Sequence, residues 1–347
     1  MSSTDTQAKA AVAIAASSPS IVYEGRHAVD ATGAVRLGFP GVRVHGRFRG
    51  SAVELRAWSG SDEACFDVAV DGGAPELLRM QAGEETYRLA HGLAEDRAHT
   101  LVLARRTESW QGVCTLRGLS LPAGGEWLRA EPLPARRLLF IGDSVTCGEM
   151  AGWTPEVRAP FPAANNNAFC SYGMRLAQRL GAQCHLVSYG GRGVLRDWRG
   201  RRDIANAPQY YELALPDDPA TPWDHRRYVP DGVGVQLGTN DFNQGIPDEA
   251  EFVGAYGRLL RKVRRDAPAA WIVAMDSPIV IDLPSEPRRT VLRQYLDAVV
   301  AGLSDERVIR ASLPVCPGVP GNGHPTQAEQ SAMAAELEPI FRGVLRW

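Results

Sequence analysis

Four short segments of this 347-residue chain carry groups suited to acyl transfer: Gly142-Asp143-Ser144, Gly190-Gly191-Arg192-Gly193, Gly238-Thr239-Asn240-Asp241 and Gly323-His324-Pro325-Thr326. A serine hydroxyl attacks a carbonyl well only when a base takes its proton, and imidazole is the side chain whose ordinary pKa suits that task near neutrality. The charge that then develops on the carbonyl oxygen needs N–H donors, which a glycine turn and an asparagine amide supply. Each segment also has a plain structural role. Asp143 or Ser144 can cap a helix, glycine turns are common, Asn240 can close an Asx turn, and a histidine beside proline at a helix start can cap or pack. Taken together they offer a nucleophile, two kinds of oxyanion donor and a base, the set that acyl transfer must gather around one carbonyl. The serine does not lie in a G-x-S-x-G elbow, which disfavours the usual α/β-hydrolase arrangement. Neither glycine stretch has the spacing of a dinucleotide fingerprint or a phosphate loop, so no nucleotide cofactor is expected.

The elements that must position these groups change character along the chain. From Ile21 to Glu131 short segments such as AVELRAW, CFDVAVDGG and HTLVLARRTES alternate apolar and polar residues between Gly and Asp turns, a pattern that predicts an antiparallel sandwich or jelly roll over 21–131. After the proline-rich connection EPLPARR, the buried runs RRLLFIGDS, CHLVSYGG, GVGVQLGTND and AAWIVAMDSPIV alternate with helical stretches around 249–266, 288–303 and 326–345. Such alternation predicts a three-layer α/β domain with a mostly parallel sheet over 132–347, whose ligands collect beyond the carboxyl ends of the strands. All four polar segments fall at such ends or at a helix start. Residues 1–20, with one seven-residue apolar run, are expected to form a flexible tail.

The 38 basic and 40 acidic side chains nearly cancel, so no strong field favours nucleic acid or an anionic surface. Six cysteines without CxxC spacing are expected to be mostly reduced and buried, with no metal site. No run approaches a membrane span and the start of the chain is marginal as a signal peptide, which favours a cytoplasmic protein; a periplasmic or secreted one follows if the native N-terminus differs.

The blocks GDSVT, GGRG, GTND and GHPT together resemble the SGNH, or GDSL-type, esterase superfamily. The further blocks YEGR, PGVRVHGRFRG, FDVAVDGG, ARRTES, NNN at 165–167 and WDHRRYVPDGVGVQLGTNDF make the chain similar to carbohydrate esterase family 2 over nearly its whole length. That resemblance implies a jelly roll joined to an SGNH hydrolase domain. It implies an esterase removing O-acetyl groups from xylan, glucomannan or their oligosaccharides through an acetyl-serine, with no cofactor and with the acetylated plant polysaccharide or oligosaccharide as substrate. Carried over to matching positions, it makes Ser144 the nucleophile and His324 the base. The oxyanion donors become the backbone N–H groups of Ser144 and Gly191 and the amide of Asn240, with Gly190 and Gly193 as neighbouring alternatives to Gly191.

One position departs from the superfamily's D-x-x-H pattern: Gly321 stands three residues before His324. Imidazole must keep a proton on Nδ1 if Nε2 is to accept one from serine. The expected orienter is the amide oxygen of Asn322 or a backbone carbonyl within 316–323, with Asp276 more plausibly a loop cap. Trp153, Trp198 and Trp223 are candidates for a sugar platform, each with ordinary packing as its alternative. The N-terminal domain is expected to wall one side of the cleft rather than to bind sugar by itself. The rival functions are an esterase of small acylated metabolites and a carbohydrate-binding protein with weak chemistry.

Overall fold

The computed structural model describes residues 10–156 and 159–347. The N-terminal region builds two antiparallel sheets of six strands each. One runs Ala28–Val29, Val35–Leu37, Cys114–Leu121, Ala52–Ser59, Gly83–His91; the other runs Glu126–Leu128, Arg43–Arg49, His99–Arg105, Cys65–Val70, Glu76–Arg79. Alternation explains why they stack. In Ala52–Ser59, Val53, Leu55 and Ala57 are fully buried while Arg56 and Trp58 face outward, so each sheet presents one apolar face to the other.

The stretch expected to be a flexible tail through residue 20 is instead folded from Val12. Val12–Ala15 pairs with the chain from Leu121 back to Gly118, just past the Cys114–Leu116 segment that Val35–Leu37 covers. Val12 and Ile14 pack on the core, and Ala16 is fully buried. The apolar run therefore closes an exposed sheet edge, a demand set by a partner strand about a hundred residues away in sequence and invisible in local composition.

The second region holds five parallel strands: β1 (Arg137–Gly142), β2 (Gln183–Ser188), β3 (Gly232–Gln236), β4 (Trp271–Met275) and β5 (Val308–Ala311), in the order β2-β1-β3-β4-β5. The helices that matter for the site are α1 (Ser144–Cys147), α2 (Tyr172–Arg179), α3 (Glu249–Asp266), α4 (Arg288–Leu303) and α5 (Gln327–Leu345). In β1, Leu138 and Phe140 join the apolar cluster containing Met174 of α2 and Phe341 of α5, whereas Leu139 and Ile141 join the opposite one with Leu259 of α3. A continuously apolar strand is thus required to face helices on both sides. Sequence patterning shows four of these strands; β5 is four residues long with two side chains half-buried, too short to signal itself.

The two regions share one continuous core and several buried polar links. Glu24 accepts the Cys184 N–H at 2.7 Å, and the fully buried Arg26 guanidinium donates to the carbonyls of Tyr211 and Leu213. Among the described residues no helix is long and apolar enough to cross a membrane. The six cysteines are unpaired, five of them buried.

Candidate active site

Ser144 opens α1 directly beyond the carboxyl end of β1 and is 5% exposed. Asp143 caps this short helix by accepting the Val145 N–H at 3.1 Å, and its other oxygen faces the Gln236 amide at 3.4 Å. Complete burial pushes the Asp143 carboxyl up to about 7. The cap and the serine are therefore adjacent residues with separate tasks. Gln330 of α5 grips the same turn, donating to the Val145 carbonyl at 3.0 Å and accepting the Tyr172 N–H at 2.8 Å.

The glycine turn follows β2, and two of its residues must be glycine for steric reasons. A Cβ on Gly190 would lie 2.7 Å from Glu108 Oε2, and one on Gly191, whose φ is +76°, would lie 2.9 Å from Trp198 Cδ1. Asn240 follows β3, and its Nδ2 donates to the Arg192 carbonyl at 2.8 Å, which leaves the second amide hydrogen for the cleft. Next to it, the buried Asp241 carboxylate accepts the N–H groups of Val194, Leu195 and Arg196. The donor loops after β2 and β3 are thereby tied to each other. Among the described residues neither Ser144 N–H nor Gly191 N–H donates to a protein acceptor.

His324 enters from the loop before α5, whose N-cap Thr326 forms a reciprocal capping box with Glu329. His324 Nε2 lies 2.8 Å from Ser144 Oγ, and Nδ1 lies 2.7 Å from Asn322 Oδ1. An amide oxygen can only accept, so Nδ1 carries the hydrogen and Nε2 presents its lone pair to the serine hydroxyl. Asn322 is held for this by an Asx turn in which the same oxygen accepts the His324 backbone N–H at 3.1 Å. Asp276 is engaged elsewhere, by Arg289, Arg293 and the Leu313 N–H.

A cleft of about 760 Å³ opens over Ser144, Gly191, Asn240 and His324. Two carboxyl groups absent from the expected site stand near it, one on the cleft and one behind the glycine turn. Glu149 lines the cleft with Oε2 3.4 Å from His324 Nε2, and Glu108, from the N-terminal region, accepts the Gly190 N–H at 2.5 Å. Burial raises Glu149 to about 7, while burial first and the Glu149 charge second push Glu108 well above the usual carboxylate range. Burial also depresses His324 to about 4. Between those values the pair is a neutral imidazole beside a carboxylic acid, which is why the close contact adds no charge to hold a proton on His324.

The three tryptophan candidates separate. Trp198 lines the cleft and is 46% exposed. Trp153 sits in the turn after α1 and is not among the lining residues. Trp223 is no platform: it is 7% exposed, with the Arg26 and Arg227 guanidinium groups against its ring and His27 and His185 at its edges. The other tryptophan lining the cleft is Trp110, 52% exposed, which comes from the N-terminal region two residues after Glu108. Sequence reasoning missed Glu108, Trp110 and Glu149 although the first lies within the ARRTES block and the last five residues after the serine.

A serine, a histidine and converging N–H donors at the carboxyl edge of a β2-β1-β3-β4-β5 sheet define a serine acylhydrolase. Residues 140–344 match the GDSL-like lipase/acylhydrolase family, and residues 23–131 match the N-terminal domain of carbohydrate esterase 2. The chain belongs to the second family of carbohydrate esterases. It is 36% identical to an acetylxylan esterase/glucomannan deacetylase of Cellvibrio japonicus over all of this chain and 93% of the relative. A solved family two carbohydrate esterase from the same organism superimposes with a TM-score of 0.91 at 35% identity, covering 98% of this chain and 99% of that one. Another, from Clostridium thermocellum in complex with cellohexaose, gives a TM-score of 0.85 at 30% identity over 94% and 99% of the two chains.

Proposed function

We propose that this chain is a carbohydrate O-acetylesterase acting on acetylated xylan, glucomannan or their oligosaccharides through an acetyl-serine intermediate. The observation that carries the reading is the relay Asn322 Oδ1, His324, Ser144 Oγ, with contacts of 2.7 and 2.8 Å, at the floor of an open cleft. Family membership and the activity named for the Cellvibrio relative supply the substrate class.

In this reading His324 Nε2 takes the Ser144 proton as Oγ attacks the acetyl carbonyl. The N–H groups of Ser144 and Gly191 and the free amide hydrogen of Asn240 receive the oxyanion, each contributing about 3 kcal/mol to the transition state. The imidazolium, its Nδ1–H on Asn322, then protonates the departing sugar oxygen. Water activated by the same Nε2 attacks the acetyl-serine, and acetate leaves. Asn322 orients the ring without supplying the charge of an aspartate. Trp110 and Trp198, both lining the cleft, offer apolar faces to pyranose rings.

The test compares deacetylation of acetylated xylo-oligosaccharides, glucomannan oligosaccharides and an aryl acetate. Turnover of the carbohydrate esters is expected. Turnover of the aryl acetate alone would contradict the substrate class, and sugar binding without turnover of any ester would contradict an enzyme.

A further inference from the structure

We propose that Glu108, carried by the N-terminal sandwich, is a positioning residue for the oxyanion hole: it holds the Gly190 N–H and through that turn aims the Gly191 N–H at the reacting carbonyl oxygen. The inference rests on the oxyanion role of Gly191 proposed above.

Glu108 is 1% exposed, and the region that bears it locks its backbone from several sides. Its N–H donates to Gln111 Oε1 at 3.2 Å, its carbonyl accepts from Arg105 Nη2 at 2.8 Å, and Gln111 Oε1 also takes a hydrogen bond from Asn166 at 3.1 Å. Arg105 is itself completely buried and donates to the carbonyls of Leu37 and Thr107 as well. This is far more anchoring than a surface carboxylate receives. The anchored Oε2 accepts the Gly190 N–H at 2.5 Å and lies against the face of Gly190 where a side chain would otherwise project. On the other side of the turn the Gly191 carbonyl accepts the Trp198 N–H at 2.9 Å. The two peptides that flank the 190–191 peptide are therefore both held, and Gly191 lines the cleft with its N–H left without a protein acceptor among the described residues.

Glu108 Oε1 is buried with no hydrogen-bond partner, and Trp110 and Cys147 border the carboxyl. No lysine or arginine lies within ion-pair distance among the described residues, so a carboxyl has been taken out of water with only neutral donors around it, the Gly190 N–H the closest of them. Structural economy alone would replace such a group; a requirement for a rigid acceptor at Gly190 accounts for its presence.

Glu108→Ala and Glu108→Gln test this with kcat and KM on an acetylated xylo-oligosaccharide, thermal unfolding, and the inhibition constant of methylboronic acid. That probe bonds Ser144 Oγ to boron and places a negatively charged oxygen in the hole. For the alanine variant kcat is expected to fall about tenfold to a hundredfold with KM within about twofold, and boronate affinity to fall by a similar factor. Glutamine keeps an acceptor for Gly190 and is expected to stay within about threefold of wild type on each readout. Wild-type kcat and boronate affinity in the alanine variant would overturn the proposal, as would a kcat loss without any boronate loss. If the alanine variant does not melt cooperatively, Gly190→Ala displaces the same contact, and unchanged boronate affinity there overturns the proposal. Turnover by Ser144→Ala would instead overturn the underlying reading; its loss there, with Glu108→Ala like wild type, would overturn only the role of Glu108.

Discussion

Two sets of carboxyl groups, Asp276 on the one hand and Glu108 with the half-buried Glu149 on the other, lie near the carboxyl edge of the parallel sheet and are built in opposite ways. Asp276, beyond β4, is fully buried and surrounded by donors: Arg289 at 3.2 Å, Arg293 at 2.6 Å and the Leu313 N–H at 2.7 Å. Glu149, at the catalytic cleft, and Glu108, behind its glycine turn, have no lysine or arginine at ion-pair distance among the described residues; Glu149 meets His324, and Glu108 meets the Gly190 N–H with Trp110 and Cys147 beside it. The first set spends its charge on holding β4, α4 and the loop after β5 together. The second is left partly uncompensated, which keeps its protons near the balance point and its electrostatics available to the reaction. A buried carboxylate beside the site is thus not by itself evidence of a catalytic acid.

Removing Asp276 should expose that difference most sharply. Asp276→Ala strands the Arg289 guanidinium, 6% exposed, without its counter-charge and is expected to cost about 3 kcal/mol of folding stability, read by denaturant unfolding. The folded fraction should keep its kcat; a stable variant with lost turnover would assign Asp276 to the chemistry after all. Asn240→Ala tests the opposite behaviour. Its kcat should fall by at least about a hundredfold with little change in melting temperature. Asn322→Ala leaves Nδ1 without its acceptor and should lower kcat roughly tenfold at constant KM, since ring orientation rather than sugar binding is lost.

The smallest effect concerns Glu149 and depends on pH. Because burial raises its carboxyl to about 7, at pH 5 it is protonated and uncharged, so Glu149→Gln should match wild type there. At pH 8 the ionised carboxylate, 3.4 Å from Nε2, stabilises the imidazolium formed in the transition state, and the variant should be about fivefold slower, a difference near 1 kcal/mol. The sign follows from the direction of the shift: the advantage of the native residue grows as pH rises through the raised pKa. Equal rates at both pH values would place Glu149 with Asp276 as a structural carboxyl.

The sequence made the helices and the reacting groups legible because each leaves a local mark. The apolar stripes of α3 and α4 match their observed ranges, and Ser144, Gly191, Asn240 and His324 all lie in compact blocks, the first three just beyond strands and the last just before a helix. Asn322 was legible because an imidazole needs an Nδ1 acceptor and no acid stood nearby, and its oxygen lies where that reasoning required it. What escaped depends on distant chain segments. Val12–Ala15 becomes a strand only because Gly118–Leu121 offers an edge. Trp223, in a loop near the catalytic blocks, is drawn into the core by Arg26, 197 positions earlier. Trp110 reaches the cleft, and Glu108 the glycine turn, because the sandwich packs against that turn, a contact with no periodicity to announce it.

The central claim is that Ser144 carries the acetyl group on its way from the sugar oxygen to water. The direct measurement is peptide mass spectrometry of the enzyme acid-quenched during turnover of an acetylated xylo-oligosaccharide. One acetyl group on the Ser144 peptide, absent from Ser144→Ala together with turnover, is the expected result. Steady acetate release with that peptide unmodified and the alanine variant still active would contradict it.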